Sequence, residues 1–336
     1  MIAQTLPDLA ASLRLQEQAS LLRAQLEAAG QEMVTGLVAD VRSHTGGDLA
    51  PVFGLDARLA DLEVREQGLA LAAARADATQ VSLLTLEDAV SGIALDLSSA
   101  VSSGDQLAVG ILQQKASGNL ITAMDALNVS FGGKTLFSGA AENGPALASA
   151  DTLLTAISAI VAVAPDAATA EAQIDAYFDT AGGSFETDIY LGSTTDAAGA
   201  PVDEDRRLGY LTRADAPEIR ENLKGLAMIA VADDAAFAGD PVEWDAFLGS
   251  ASSKLLAANE SLTGLRATVG VGQADIELAR DAGEAEASAI IQTRNELIGA
   301  DQFEAAAEFA DLEASLQALF TVTARVSTLR LTNFLP

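Results

Sequence analysis

Aliphatic residues recur at seven-residue intervals along two long stretches of the chain. The first row is Leu55, Leu62, Leu69, Ala76, Leu83, Val90 and Leu97. The second row is Leu255, Leu262, Val269, Ile276, Gly283, Ile290 and Leu297. Such a repeat is typical of helices that pack lengthwise against a partner. Residues 52–144 and 242–335 also lack proline, which would interrupt a helix. We therefore predict long helices in both stretches, which we call the two arms.

Each arm has a neighbouring apolar row that continues the buried face as the helix turns about its axis. In the first arm this row is Leu86, Ile93, Ala100 and Leu107, and in the second it is Ile291, Ile298, Ala305, Leu312, Leu319 and Val326. Ser102 to Asp105 predicts a break with a new helix cap. A third helix then carries Leu107, Ile111, Ile121, Met124 and Leu127 toward Phe131 and ends at Gly132-Gly133.

Both ends of the sequence have apolar residues at alternating spacings of four and three, the pattern of a coiled-coil stripe. A heptad row most often marks a seam inside one chain, and the two arms could simply pair with each other. Helices that polymerise also commonly present such stripes near the termini. We predict an assembly interface made of Leu15, Ala19, Leu22, Leu26, Met33, Phe309, Leu312, Leu316, Leu319, Thr323 and Val326.

The segment between the arms, residues 139–240, has 18 acidic but only 5 basic residues. Five of the eight prolines lie in residues 145–241, between the two proline-free stretches. Leu153–Val163 and Ala168–Phe178 predict helices. Phe185–Leu191 alternates apolar and polar residues as a strand does, and Arg207–Thr212 predicts a second strand. Another helix is expected at Pro217, with Asp215 as a candidate cap. We interpret this segment as an inserted α+β domain.

The predicted fold is mainly α, with long antiparallel helical coiled-coil arms from both chain ends and the inserted α+β domain between them. We divide the chain into an N-terminal assembly helix, an N-terminal rod arm, the outer insert, a C-terminal rod arm and a C-terminal assembly helix. The corresponding ranges are 1–43, 44–138, 139–240, 241–300 and 301–336.

Composition restricts the partners of this chain. Its 336 residues have a formal net charge of −29, which would repel phosphate groups, so we expect neither nucleic acid nor a membrane surface as a partner. The longest apolar run, Thr152–Ala164, is shorter than the ~20 residues that a membrane span needs. The N-terminal residues have neither the basic nor the apolar region of a cleaved secretory signal.

No residue combination in the sequence points to catalysis, and we expect neither an enzyme nor a cofactor. His44 is the single histidine, in a predicted loop, and cysteine is absent, which excludes the common zinc ligand sets. Asp203 to Asp205 is better interpreted as a solvated acidic turn than as a calcium loop. Gly270-Val271-Gly272 follows no strand and indicates a close approach of two helices. Trp244 is expected to pack the insert against the second arm.

Three segments resemble the flagellin-like family of bacterial flagellar axial proteins, and among these the hook-filament junction proteins. They are Gly133–Gly139 (GKTLFSG), Leu319–Ser327 (LFTVTARVS) and the closing Leu331–Leu335 (LTNFL). The layout of both arms, about two thirds of the chain, agrees with the same family. One region departs from it, because Gly36–Asp40 and His44–Asp48 replace the arginine-isoleucine-asparagine segment and paired aspartates of flagellins. The departure favours a junction protein over a filament subunit.

The resemblance implies a structural subunit that is exported by the flagellar type III apparatus and assembles outside the cell as a ring between hook and filament. Its implied partners are other copies of itself, hook-associated protein 1, flagellin and a flagellar export chaperone. Two alternatives remain open at this point. One is a flagellin filament subunit, and the other is a soluble coiled-coil adaptor or secreted effector.

Overall fold

The structure is a computed structural model that describes residues 6–202, 207–209 and 211–332, with side chains from residue 13 to residue 325 within those ranges. Helices account for 75% of the chain and strands are few and short. The prediction of a mainly α fold is therefore confirmed.

The described part of the chain contains ten α-helices. They are α1 (Leu6–Thr35), α2 (Val41–His44), α3 (Ala50–Val90), α4 (Ile93–Ser103), α5 (Gln106–Leu127), α6 (Ala150–Val161), α7 (Ala167–Asp179), α8 (Pro217–Ala230), α9 (Pro241–Ile298) and α10 (Gln302–Thr332). His44 was predicted to lie in a loop, but it is the exposed last residue of the one-turn helix α2.

The chain divides into two compact units. The terminal unit consists of Met1–Glu63 and Gly283–Pro336, and the central unit is Val64–Ala282. The boundaries fall within α3 and α9, which contribute residues to both units. Residues 139–240 lie wholly inside the central unit, and the five-part division made from the sequence stays a prediction.

The heptad rows supply the core of the central unit. Leu69, Ala76, Leu83 and Val90 of α3 are buried, as are Leu255, Leu262, Val269 and Ile276 of α9. Arg266 and Glu87 form an ion pair between the two helices, and Gln80 Nε2 donates to the Arg266 carbonyl at 2.7 Å. The largest buried cluster also contains residues of α6, α7 and α8 together with Trp244. The predicted insert and the flanking helices therefore share one core.

Two glycines with positive φ interrupt the first arm. Gly92 (φ 79°) separates α3 from α4, and Gly104 (φ 68°) ends α4. Asp105 then caps α5 by accepting a hydrogen bond from the Ala108 amide at 3.0 Å, so the predicted break is confirmed. Because the break resets the helical phase, Leu107 is 78% exposed, and its predicted place on the buried row is wrong.

The predicted end of the third helix is also wrong. Helix α5 stops at Leu127, and the next residues form a short hairpin in which β1 (Ser130–Phe131) pairs antiparallel with β2 (Lys134–Thr135). Gly132 and Gly133 make the turn with φ of 61° and 79°. The glycines therefore end a strand, because their positive φ suits a two-residue hairpin turn.

The strand predicted over Phe185–Leu191 is wrong, since Phe185–Ile189 is a single π-helical turn. The Tyr190 amide donates to the Phe185 carbonyl at 2.8 Å, and the Phe185 ring stacks on Phe178 of α7 at 5.1 Å. Burial of Phe185 and Ile189 on one side of a turn outweighs the local alternation.

Only part of the second predicted strand forms. Residues Arg207–Leu208 make β4, which pairs antiparallel with β3 (Ala200–Pro201). Helix α8 starts at Pro217 as expected, but no side chain caps it. Asp215 instead accepts a hydrogen bond from Arg213 Nε at 2.7 Å, so the prediction that Asp215 is the cap is wrong.

The remaining sequence predictions have mixed outcomes. The α6 and α7 helices confirm the predicted helical segments between residues 150 and 179. Gly270 lies within α9, where a Cβ would meet only Gln80 Nε2 at 3.8 Å, so packing does not require glycine there. Ile291, the first residue of the neighbouring apolar row in the second arm, is 48% exposed. The next residue of that row, Ile298, is buried. The acidic turn at residues 203–205 lies outside the described residues.

Candidate functional site

The candidate site is the pair of helices α1 and α10 in the terminal unit. A short antiparallel contact, which we call the clasp, joins them: the Val38 amide donates to the Ile298 carbonyl at 3.0 Å, and the Ala300 amide donates to the Gly36 carbonyl at 2.9 Å. Gly36 has φ of 67°, which ends α1 and lets the chain turn into the clasp. The clasp fixes the register of the two helices at one end.

Beyond the clasp, α1 and α10 run antiparallel. A Cβ on Gly30 would lie 3.2 Å from Cε2 of Phe309, so the absence of a side chain allows the aromatic ring to lie close to the α1 backbone. Two turns further, the guanidinium of Arg23 lies 5.5 Å from the ring centroid of Phe320, within range of a cation–π interaction. Residues that come earlier in α1 therefore lie beside residues that come later in α10.

The structure brings most of the predicted assembly residues into this one seam. Leu15, Ala19, Leu22, Leu26, Phe309, Leu312, Leu316 and Leu319 are all partly buried. Ala29 and Ala305, at 3% and 4% exposure, are the most buried of the side chains described in the two helices. Met33 and Thr323 are exposed, and the side chain of Val326 lies outside the described residues. The two stripes thus lie against each other within one chain.

A second set of apolar side chains on the two helices lies outside the predicted seam positions and is exposed to solvent. It was not singled out from the sequence, because these residues fall between the seam positions. Its members are Leu13, Leu21, Val34, Phe303, Phe320 and Val322, with exposures from 44% to 90%. Exposed large apolar residues that cluster on one element mark interaction surfaces. The exposed surface of the helix pair outside the seam, which we call the outer face, is therefore the part that another protein can reach.

Ion pairs connect α3 and α9 within the terminal unit. Arg58 and Glu286 are 2.7 Å apart, and Arg294 Nε lies 2.7 Å from Asp56 Oδ1. These pairs are partly exposed, and pairs of that kind contribute about 0–1 kcal/mol each. The two pairs therefore help to set the register of α3 against α9 but contribute little to the free energy of unfolding.

The segment that carries the family resemblance, Gly133–Gly139, is built into the central unit. Leu136, Phe137 and Ser138 are at most 1% exposed. Gly139 has φ of 60°, and a Cβ there would lie 2.5 Å from the carbonyl oxygens of Ser193 and Thr195. The sequence Leu-Phe-Ser-Gly therefore places two large side chains in the core and crosses beneath a loop where only glycine fits.

Glu142 anchors the β1–β2 hairpin, whose second strand belongs to this segment, to α3. Its carboxylate binds Arg75, at 2.8 Å, and Lys134 of β2. Burial alone would raise the pKa of Glu142, but the hydrogen bonds from Lys134 and Arg75 outweigh it and hold the pKa below 4.5. Arg75 is only 8% exposed, so this carboxylate compensates a buried charge.

A buried lysine joins α7 to α8 and α9. Lys224, 1% exposed, has its Nζ 3.0 Å from Asp175, 2.9 Å from Asp179 and 2.8 Å from Glu221. Lys254 of α9 also binds Asp175 at 3.0 Å. Burial lowers the pKa of Lys224, but the hydrogen bonds to the three carboxylates prevail and raise it to about 12. The cluster holds a charged lysine inside the helix layer.

Two open grooves lie in the central unit. One, of 380 Å³, is bordered by Arg213 and Thr268, and the other, of 490 Å³, by Leu107, Ile111 and Gln113. Two of the polar groups that border them are already paired, since Arg213 binds Asp196 and Asp215, and Gln113 binds Asp233. The described residues that line the two grooves include no arrangement of nucleophile and base.

Among the described residues, no group of three or more His, Asp or Glu side chains is placed to hold a metal ion. None of the described helices combines the length and the apolar character that crossing a bilayer requires.

No protein-family model matches the chain, and the search of curated proteins gives no match either.

Proposed function

We propose that this chain is a structural subunit of the bacterial flagellum that joins hook to filament, a junction protein of the hook-associated protein 3 type. In this proposal it is exported by the flagellar type III apparatus and assembles outside the cell into a ring. Hook-associated protein 1 lies on one side of the ring and flagellin on the other. It is not an enzyme, and its task is to provide matching surfaces.

The observation that carries the proposal is the antiparallel pairing of the N-terminal and C-terminal helices with an apolar outer face. Gly30 lies against Phe309, and the leucines of the seam are only partly buried. A helix pair of this kind buries little surface of its own, whereas ordering its backbone costs roughly 1–2 kcal/mol per residue. Contact with neighbouring subunits supplies the missing burial.

The Gly133–Gly139 segment supports the same proposal. The resemblance to the flagellin-like family rests partly on this segment. Two of its residues are required by the packing of this chain, because Phe137 is buried and Gly139 is enclosed by other backbone atoms. We further propose the finer architecture that the resemblance implies, in which antiparallel coiled-coil arms form a rod and residues 139–240 face outward as a domain.

The proposal includes a mechanism of assembly. In the free subunit, α1 and α10 open and close readily, and they become firmly ordered when neighbouring subunits cover the outer face. Hydrogen exchange of the dilute monomer tests this mechanism, with fast exchange expected for residues 10–35 and 310–332. Strong protection of both segments in the dilute monomer would contradict it.

Deletion of the gene, followed by electron microscopy of the cells, tests the function itself. We expect hooks without filaments and flagellin released into the medium. Cells that keep attached filaments would rule out the junction role. Expression of the full-length chain from a plasmid is the control and should restore the filaments.

Purified protein separates the two alternative functions from the proposed one. Unaided growth into long filaments would indicate a flagellin filament subunit. A stable monomer or dimer with well-protected terminal helices, in cells whose motility does not depend on it, would indicate a coiled-coil adaptor or secreted effector.

A further inference from the structure

The charges of the α1–α10 pair are sorted along its length. Residues 26–35 and 301–313, next to the clasp, form an acidic half whose charged residues are Glu27, Glu32, Asp301, Glu304, Glu308, Asp311 and Glu313. Residues 13–25 and 314–325, further from the clasp, form a basic half whose charged residues are Arg14, Glu17, Arg23 and Arg325. Since the helices are antiparallel, both acidic segments lie at one end and both basic segments at the other.

The two halves are far enough apart to act as separate patches. Their midpoints on α10 are roughly 12 residues apart, which corresponds to about 18 Å at ~1.5 Å per residue. The screening length at physiological ionic strength is only about 8 Å. A net basic patch is unusual in a chain with a net charge of −29, and that charge makes copies of the chain repel each other elsewhere.

Each half also carries exposed apolar side chains. On the basic half these are Leu13, Leu21, Phe320 and Val322, and on the acidic half Val34 and Phe303. Protein interfaces combine an apolar centre with a polar rim of complementary charge. The halves therefore fit each other on two different copies of the chain.

We propose that the basic half of one copy binds the acidic half of a second copy, with the two helix pairs side by side and offset by about half their length. The inference rests on the proposed function, in which α1 and α10 are the assembly elements and all copies in the ring have the same orientation. The two surfaces in the contact are different, so each bound copy keeps one half available. Such heterologous contacts propagate and can close into a ring.

Other alignments of the two pairs are less compatible with this arrangement. A parallel alignment without offset places arginines on arginines and carboxylates on carboxylates, which is repulsive. An antiparallel alignment pairs opposite charges but leaves no half available, so it stops at two copies. The number of copies in the assembly therefore separates the alternatives.

Charge reversal in the full-length chain tests the contact. One variant combines Arg14→Glu with Arg325→Glu and makes both halves acidic. The other combines Glu304→Arg, Glu308→Arg, Asp311→Arg and Glu313→Arg and makes both halves basic. All six side chains are exposed, so the fold should tolerate the changes. A control combines Asp88→Arg, Asp125→Arg, Glu260→Arg and Asp275→Arg, four exposed sites in the central unit, and changes the net charge as the second variant does.

Association is measured by sedimentation velocity over a range of concentrations at 0.1 M and 0.5 M NaCl. We expect the wild-type chain to form species larger than dimers and to lose at least tenfold in association constant at the higher salt. Each charge-reversed variant alone should associate at least tenfold more weakly than wild type. An equimolar mixture of the two should recover to within threefold, and the control should equal wild type.

Three results would overturn the inference. Variants that associate as wild type does would show that charge does not direct the contact, and the deletion test of the proposed function would be unaffected. A wild-type chain that stops at dimers would replace the offset arrangement with the two-fold one. A wild-type chain that stays monomeric at every concentration would exclude the contact between copies. Circular dichroism of each variant confirms that the helices are intact.

Discussion

Gly225 of α8 lies so close to Leu255 of α9 that a Cβ on the glycine would be 2.9 Å from Cδ1 and 3.0 Å from Cβ of the leucine. Leu255 is fully buried and sits on the heptad row of α9. We expect Gly225→Ala to destabilise the central unit by about 1–3 kcal/mol, the usual cost of overpacking a core. Urea unfolding followed by the fluorescence of the single tryptophan, Trp244, measures the change.

Gly264→Ala is the matched control for this prediction. Gly264 also lies in a helix of the central unit, but a Cβ there meets no atom within 4 Å. Because alanine is the better helix former, this variant should be more stable than wild type by roughly 0.5–1 kcal/mol. Equal effects of the two substitutions would contradict the close approach of α8 and α9.

Gly139→Ala is expected to be the most damaging small substitution in the resemblance segment. The new methyl group would overlap the carbonyl oxygens of Ser193 and Thr195, and φ of 60° is unfavourable for alanine. We predict a loss of roughly 3 kcal/mol or more in the free energy of unfolding. Gly144→Ala, five residues later in open space, should change it by less than ~0.5 kcal/mol.

Glu142 has one buried and one exposed partner, which allows the two ion pairs to be compared. Glu142→Ala leaves the buried Arg75 without its carboxylate and should cost roughly 3 kcal/mol. Lys134→Ala removes only the exposed partner and should cost about 0–1 kcal/mol. Thermal unfolding of both variants measures the difference, and a larger loss for Lys134→Ala would contradict the anchoring role of Arg75.

The cluster around Lys224 predicts a dependence of stability on pH. Burial alone would raise the pKa of Asp175, but the hydrogen bonds from Lys254 and Lys224 outweigh it and hold the pKa below 3.8. A carboxyl with a lowered pKa in the folded state stabilises the fold above its unfolded pKa, and this contribution disappears as the pH falls through the folded value. The central unit should therefore lose stability from about pH 5 downward.

Lys224→Met tests this source of the acid sensitivity. We expect a loss of roughly 1–3 kcal/mol at pH 7, less than for a fully buried pair because the carboxylates can be hydrated. We also expect a smaller further loss between pH 5 and pH 3 than in wild type. Lys115→Met, at an exposed lysine of α5, is the control and should leave the pH profile unchanged.

The heptad pattern predicted which side chains of the arms are buried. Leu69, Ala76 and Leu83 of α3 are buried, and so are Leu262 and Ile276 of α9. The reason is that the helical period alone decides which residues share a face, and period is a property of the sequence. The same reasoning identified the partly buried seam positions of α1 and α10.

The pattern failed where a turn resets the phase or where distant residues meet. Leu107 of α5 is exposed because Gly104 and Asp105 start a new helix at a different rotation. Ile111 and Ile121 of the same helix are exposed as well. Phe185 entered a π-helical turn because it stacks on Phe178, which no local pattern shows.

Two important features of the central unit had no sequence signal. From the sequence alone, a lysine in a helix is expected to be exposed to solvent. Lys224 is nevertheless buried, and carboxylates from α7 surround its ammonium group. Gly225 likewise gains its importance only from the position of Leu255.

The sequence by itself determined that this chain is mainly helical and which face of each long helix is apolar. Only the tertiary structure decided that the stripe of α1 lies against that of α10, with Gly30 beside Phe309, while a second apolar set remains outside. The physical reason is that apolar attraction has no direction, so a stripe specifies a buried face but not the helix that covers it. Charge can specify the helix that covers a stripe, because complementary charged patches favour one alignment over another.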